Sequence, residues 1–508
     1  MVRGTERSIG SALSYQYLSA VSFTAFGGAF YIFIAKFLPT SEVGVVSLLL
    51  AITSLLNIIF SFGLPISAQH FISYNLAKDD QIEMYSLTKR FLVIACLLST
   101  TSVGITLIVA RPFALLFFHN VSYTSLVDTG ALYIAALTIF GTLHGSALGL
   151  QIFKTDAIIY LSAASLSYFV GLVFLFVFHG IFYLLIGLSV SYIYGSIFYV
   201  VVIFTRRSPI TETSRKTSLH LIFAYSWPII LSSLMGYGSN YVDRFVVAYF
   251  LDISTLGIYS FVLIVSSSLS FLAGPLVNIL IPKLSEFFSL NDIEKLTKGV
   301  NLSSALMILI YSPLALGVAA LSPIALSLLA RSTYANGSTA LMILLGVSSV
   351  FVLWNILSSV IYAVRKTRVY IIITSLTLIS NILLSFLLIP RIGMVGASIA
   401  NSSVIVISFM ISYYFAITKE VKKYDWVTVM KVWLSSLTMF VVVFIERTQI
   451  GNGLDMLPLY IFTGAIVYTA MLNLTHSLRR LSKDEFIGFI PVSFGLRKSV
   501  QIILGRAF

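Results

Sequence analysis

AKFLPTSEVGVVS (Ala35–Ser47) and AYFLDISTLGIYS (Ala248–Ser260) lie 213 positions apart and coincide at Ala, Phe, Leu, Ser, Gly and Ser, six of thirteen positions. Carried on to Leu56 and Leu269, the alignment holds nine identities in twenty-two. A shift of 212 lays Lys154-Thr155 on Lys366-Thr367, each just ahead of an apolar run. Self-similarity at a fixed period marks a duplicated architecture. The polar loops agree: Gln69–Lys89 and Pro282–Lys298 follow corresponding runs, both of mixed charge and both expected to be helical, with Asp79 falling on Asp292.

The copies sit in a chain of 508 residues, 58% hydrophobic and 10% charged, against about 25% charged in an average soluble domain. Disorder is excluded by the apolar content, and a disulfide scaffold by the single cysteine, Cys96. A helix that crosses the hydrocarbon needs roughly 20 apolar residues, at about 1.5 Å of rise each. Fourteen such runs are present, from Gly10–Ala35 to Leu457–Thr475, and they include Val43–Ile66, Ile158–Phe178, Leu221–Phe250, Leu256–Ile281 and Ala340–Ala363. Continuous apolar runs lack the alternation of a membrane barrel, so each is expected to be helical. The first run is too long for a cleaved leader and no small-residue cleavage site follows it.

Orientation follows from lysine and arginine. Of the 32, 26 fall on the side of the two termini, and Lys36, Arg111, Arg244, Arg331, Arg391 and Arg447 fall toward the other. Both termini are therefore expected in the cytoplasm of a multi-pass protein of the cell membrane. The whole net charge of +13 lies on that side; it suits anionic headgroups and needs no nucleic acid as partner.

The expected fold is all-α and polytopic, with about 14 transmembrane helices. An offset of six spans gives both copies one orientation, related by an axis along the membrane normal. The expected division is a six-helix lobe at 1–205, a basic cytoplasmic linker at 206–219, a second six-helix lobe at 220–419, two additional helices at 420–475, and a basic cytoplasmic tail at 476–508. Parallel repeats of this kind place substrate between the lobes.

DRFVVAYFLDISTLGIYSF (Asp243–Phe261) and NILLSFLLIPRIGMVGASIANS (Asn381–Ser402) resemble the end of span 7 with its turn into span 8, and spans 11–12 with their short Pro-Arg-x-Gly turn, in the Wzx-like oligosaccharide-lipid flippases of polysaccharide biosynthesis. That superfamily also holds the multidrug-and-toxin extruders (MATE) and the peptidoglycan lipid flippases, and the resemblance covers essentially the whole chain. It implies a MATE-like pair of lobes that alternate access, moving a lipid-linked oligosaccharide (a polyprenyl phosphate or pyrophosphate sugar) through a polar cavity while the isoprenoid tail stays in lipid. Membrane lipids, and glycosyltransferases or polymerases of the same pathway, are the partners it implies.

Within the spans, Asp243 and Arg244 stand out, roughly 10 Å inside the expected outer end of span 7 at the rise of a helix. Intramembrane charges are costly and commonly face a cavity, and neighbours in sequence do not face one another on a helix. The repeat-equivalent residues are Phe30 and Tyr31, so the scaffold itself does not demand charge there. The Arg244 fork suits a lipid phosphate; the competing reading is an arginine that snorkels to the surface. Asn240, Tyr241, Gln16 and Tyr17 are candidate sugar contacts, and Lys36 a second phosphate contact or an interfacial anchor. His144, in span 4, is a candidate proton relay or a hydrogen-bonded packing residue.

No GxxxxGK[ST] phosphate loop and no metal-spaced Cys/His set is found, so no cofactor, metal or catalytic residue is expected. The rival readings are a multidrug or small-solute antiporter on the same scaffold and a membrane-embedded glycan polymerase or ligase. The second is disfavoured by short loops; the first by a span 1 without Asp or Glu.

Overall fold

The computed structural model describes residues 9–78, 80–205, 217–270, 273–364, 366–417 and 421–476. Arg206–Lys216 of the basic linker, Asp79, and the tail beyond His476 lie outside the described residues. Among those described, every regular element is helical. The first copy of the repeat comprises α1 (Ile9–Phe37), α2 (Thr40–Ser61), α3 (Leu64–Ala77), α4 (Gln81–Phe118), α5 (Thr124–Gly149), α6 (Phe153–Val177) and α7 (Ile181–Thr205). The second comprises α8 (Leu219–Phe250), α9 (Ile253–Ser270), α10 (Ala273–Ser289), α11 (Ile293–Ala320), α12 (Ser322–Leu329), α13 (Ser338–Phe351), α14 (Trp354–Ala363) and α15 (Thr367–Ile417). Outside the repeat stand α16 (Trp426–Ile450) and α17 (Leu457–Leu474).

The sequence repeat has a counterpart in helix capping. Asp80 caps α4 by accepting from the Glu83 amide, and Asp292 caps α11 by accepting from the Lys295 amide, so the caps stand 212 positions apart and pair Asp292 with Asp80. Each capped helix also holds chain from the segment that follows its lobe. Glu83 accepts from the Thr217 amide at 2.7 Å and Arg90 donates to the Thr217 carbonyl at 2.9 Å; Asn301 donates to the Lys423 carbonyl at 2.8 Å and accepts from the Asp425 amide at 3.0 Å. Replacing an N-cap aspartate by alanine removes a partner from an orphan amide and costs about 1 kcal/mol. Asp80→Ala is therefore expected to lower the melting temperature in detergent, and Asp80→Asn to leave it nearly unchanged.

Two apolar runs are shorter as helices than as sequence. Val43–Ile66 breaks after Ser61, where Phe62 (φ 49°) and Gly63 (φ 66°) turn the chain left-handed and Pro65 starts α3. Ala340–Ala363 divides between α13, which ends at Phe351, and α14, which begins at Trp354. Such breaks sit among apolar residues, so composition alone hides them. In α15 the break was legible: the Pro390-Arg391-Ile392-Gly393 turn falls where Ile392 and Gly393 leave helical geometry, so α15 holds two of the runs.

Eleven helices of the described residues are long and apolar enough to cross a membrane, with shorter apolar stretches at Thr24–Phe37 and Ile253–Leu269. The chain is a multi-pass membrane protein. Its outer faces carry exposed Ile108, Phe169 and Phe462, as contact with hydrocarbon demands. Inside, serine and threonine hydroxyls donate to carbonyls of their own helices, as Thr142 does to Thr138 and Ser189 to Leu185, because no water is there to satisfy them.

Contacts divide the chain into two compact units, residues 1–260 and 261–508. The first holds the first copy with α8 and the start of α9. In the second, α16 and α17 pack on α11 and α12 through Leu316, Leu321, Ile324, Met439, Val443 and Tyr460.

Candidate functional site

The site in the first unit is built on α8. Tyr237 and Tyr241, four residues apart, stack with ring centroids at 4.3 Å and an interplanar angle of 5°. One turn on, the Arg244 guanidinium lies 4.2 Å from the Tyr241 ring centroid, a cation–π contact. The residue is half-buried, and its enclosed Nε has no hydrogen-bond partner. Tyr31 of α1 stands within electrostatic reach of both Tyr241 and Arg244. It is the repeat mate of Arg244, so the duplication brings the cation and its neutral counterpart together. The hydroxyl of Tyr237 donates to the Ala51 carbonyl of α2 at 2.5 Å, which fixes the stack against the first copy.

Asp243 faces the other way. It is fully buried, accepts a hydrogen bond from the Tyr259 hydroxyl of α9 and accepts another from the Arg244 amide at 3.0 Å. A buried carboxylate so held orients the segment that carries Arg244. At the turn between α8 and α9, Asp252 accepts from the Thr255 amide at 2.9 Å and hydroxyl at 2.6 Å. Partial burial would raise its carboxyl, but these donors outweigh it and hold the group below the ordinary carboxylate range.

Beside this turn the two copies meet. A Cβ on Gly44 of α2 would come within 2.0 Å of the Ile253 carbonyl oxygen, and one on Gly257 of α9 within 2.0 Å of the Thr40 carbonyl oxygen. Only glycine permits approach this close. Gly44 and Gly257 are repeat mates, as are Thr40 and Ile253, and the Thr40 and Ser254 hydroxyls lie 2.5 Å apart across the contact.

A second polar cluster lies toward the far ends of α5 and α6. His144 Nδ1 is 2.7 Å from Asp156 Oδ1, and the Tyr199 hydroxyl of α7 donates to the same oxygen at 2.7 Å. Asp156 and Tyr199 are buried, whereas the His144 side chain keeps 24% of its accessible area. Tyr160 covers the imidazole at 4.7 Å between ring centroids. Asp156 was missed in the sequence because the apolar run begins at Ile158, while α6 begins at Phe153 and takes the carboxylate into its first turn.

The remaining candidates are dispersed. Asn240 is exposed and donates to the Gly236 carbonyl of its own helix at 2.8 Å. Lys36 is exposed in the last turn of α1, where a cation complements the helix dipole. Gln16 and Tyr17 belong to α1, and their side chains lie outside the described residues.

With this geometry in view, comparison with known proteins is decisive on kinship. Residues 14–288 match the family model described as polysaccharide biosynthesis protein. The chain belongs to that family. A curated relative, named "Probable low-salt glycan biosynthesis flippase Agl15" from Haloferax volcanii, is 24% identical over 302 residues, 58% of this chain. The chain spans 63% of the length of that relative. Among solved structures, a lipid II flippase, MurJ, in an inward closed conformation superposes with a TM-score of 0.71 at 16% identity, covering 92% of this chain and 99% of that one. An inward-facing multidrug resistance transporter of the MATE family gives 0.65 at 14% identity, over 78% and 95%. These two likenesses establish a MATE-like fold for this member of the polysaccharide biosynthesis family.

Proposed function

We propose that this protein is a flippase that carries lipid-linked oligosaccharide from the cytoplasmic to the outer leaflet of the cell membrane by alternating access, with both termini in the cytoplasm. The observation that carries the reading is Arg244, a half-buried cation on a membrane-crossing helix, stacked on a tyrosine pair and with an enclosed donor unpaired. Membership of the polysaccharide biosynthesis family and the name of the curated relative support it. The chemistry is apt. A hydroxylated, phosphorylated headgroup pays a prohibitive desolvation cost in bare hydrocarbon, and a cation with aromatic faces offsets it.

In this reading Arg244 takes the phosphate, Tyr241 and Tyr237 present faces and edges to sugar rings, and Tyr31 completes the wall. Asp243 is a positioning residue. Asn240, Gln16 and Tyr17 are secondary sugar contacts, and Lys36 meets phosphate near the membrane surface. His144, its Nδ1 2.7 Å from Asp156 Oδ1 and backed by Tyr199, is the proton relay of the cycle. The protein performs no covalent chemistry; glycosyltransferases of the same pathway supply its substrate.

Reconstitution tests the whole. Vesicles holding the protein and a polyprenyl-diphosphate oligosaccharide should transfer the glycan to the opposite leaflet, read by accessibility to an added glycosidase. A pH gradient should change the rate in wild type and not in His144→Gln. Protein-dependent export of cationic dyes with no glycan transfer would instead favour the antiporter, and the flippase reading would fail.

A further inference from the structure

The helices outside the repeat leave a cleft in the second unit, about 410 Å³ in volume, between α11–α12 and α16–α17. Its walls are almost wholly carbon, with Gly317 and Leu321 of α11 and its end, Ile324 of α12, Met439 and Val443 of α16, and Leu457 of α17. Along α17 the lining runs from Leu457 to Tyr468, about 16 Å at the rise of a helix. That is about half of a hydrocarbon layer ~30 Å thick, the depth of one leaflet.

Met439 and Val443 are four residues apart, and the next residue at that spacing, on the same face of α16, is Arg447. Only 7% of it is exposed, and its Nε and Nη1 have no hydrogen-bond partner. Its guanidinium rests 4.8 Å from the Phe444 ring centroid. The adjacent carboxylate does not neutralise it: Glu446 accepts from Thr463 of α17 at 3.3 Å, and its other oxygen is enclosed without a partner. A buried, unpaired cation at the end of an apolar cleft is costly as it stands, and an amphiphile with an anionic head removes that cost.

We propose that the cleft and Arg447 form a binding site for one anionic phospholipid of the surrounding bilayer, its chain along α17 and its phosphate on the guanidinium, which can grip two phosphate oxygens at once. The occupant is a plain phospholipid and not a glycolipid. The two lining hydroxyls are already committed, Tyr460 to the Gly451 carbonyl at 2.7 Å and Tyr468 to the Leu309 carbonyl at 2.8 Å, so no donor is left to read a sugar. The site stands apart from the transport reading and would hold if that reading fell.

Native mass spectrometry of the delipidated full-length protein, titrated with phosphatidylglycerol or phosphatidylcholine, tests it. Wild type should hold one phosphatidylglycerol at least tenfold more tightly than Arg447→Gln does, with a much smaller difference for phosphatidylcholine. Arg447→Lys should recover part of the affinity. Should Arg447→Gln fold poorly, Ala465→Phe, which fills the cleft from an exposed position on α17, should lose the lipid with Arg447 intact. Equal retention by wild type and both variants, or a bound lipid displaced by polyprenyl-diphosphate oligosaccharide, overturns the proposal.

Discussion

Arg244→Ala should abolish translocation of lipid-linked oligosaccharide while the protein still reaches the membrane and keeps its melting temperature within a few degrees. A charge-assisted hydrogen bond is worth roughly 1.5–3 kcal/mol, so losing the phosphate contact alone weakens substrate binding roughly ten- to hundredfold. The expected effect on flux is larger, because the headgroup would meet a wall of tyrosines with no countercharge inside the membrane. Arg244→Lys should retain a small fraction of activity: it keeps the charge but loses the planar fork and most of the stacking on Tyr241. Asp243→Asn is the instructive partner. It removes the charge held by Tyr259 without touching the proposed phosphate contact, so it should slow transport by loosening the α8–α9 segment. Flux unchanged in a well-folded Arg244→Ala protein would remove Arg244 from the site and leave the family assignment standing.

A disulfide between Thr40→Cys and Ser254→Cys, placed in a Cys96→Ser background because Cys96 is exposed, should stop transport on oxidation and restore it on reduction. The two hydroxyls lie 2.5 Å apart, a separation from which disulfide geometry is reachable. Alternating access requires the two copies of the repeat to part at one end and then at the other, so a covalent link across the α2–α9 contact should hold one state. Full transport by the quantitatively cross-linked protein would show that this contact never opens. The same contact predicts that Gly257→Val is severe. Its Cβ would overlap the Thr40 carbonyl, and overpacking of this kind typically costs about 1–3 kcal/mol, read as a lower melting temperature or as a protein biased towards the parted state.

Most of the architecture could be read from the sequence because two signals are long: apolar runs set by bilayer thickness, and a repeat that spans whole helices. Arg244 was legible for a related reason, since an arginine inside an apolar run is conspicuous. The partners of that residue were not. Tyr31 is one tyrosine among 27, and only three-dimensional proximity separates it from those that face lipid. Asp156 was hidden by a different effect: a carboxylate two residues ahead of an apolar run looks like loop, while the helix begins earlier and buries it against His144 and Tyr199. The break at Phe62-Gly63 was concealed by its apolar setting, whereas the interruption in α15 carried a proline and a charge to mark it. Arg447 appeared only as one of a few cations on the sparsely charged side; its burial and missing counter-ion belong to packing.

The paired glycines of α2 and α9 have the logic of an isologous dimer interface carried within one polypeptide. Gly44 touches Ile253, the mate of Thr40, and Gly257, the mate of Gly44, touches Thr40, the reciprocal pattern of a two-fold homodimer. In an ancestor of two identical subunits, any bulky change at that glycine would have struck twice and been felt at both seams; after fusion, each seam can vary by itself. A glycine on both sides marks the seam along which two halves expressed as separate chains should reassemble.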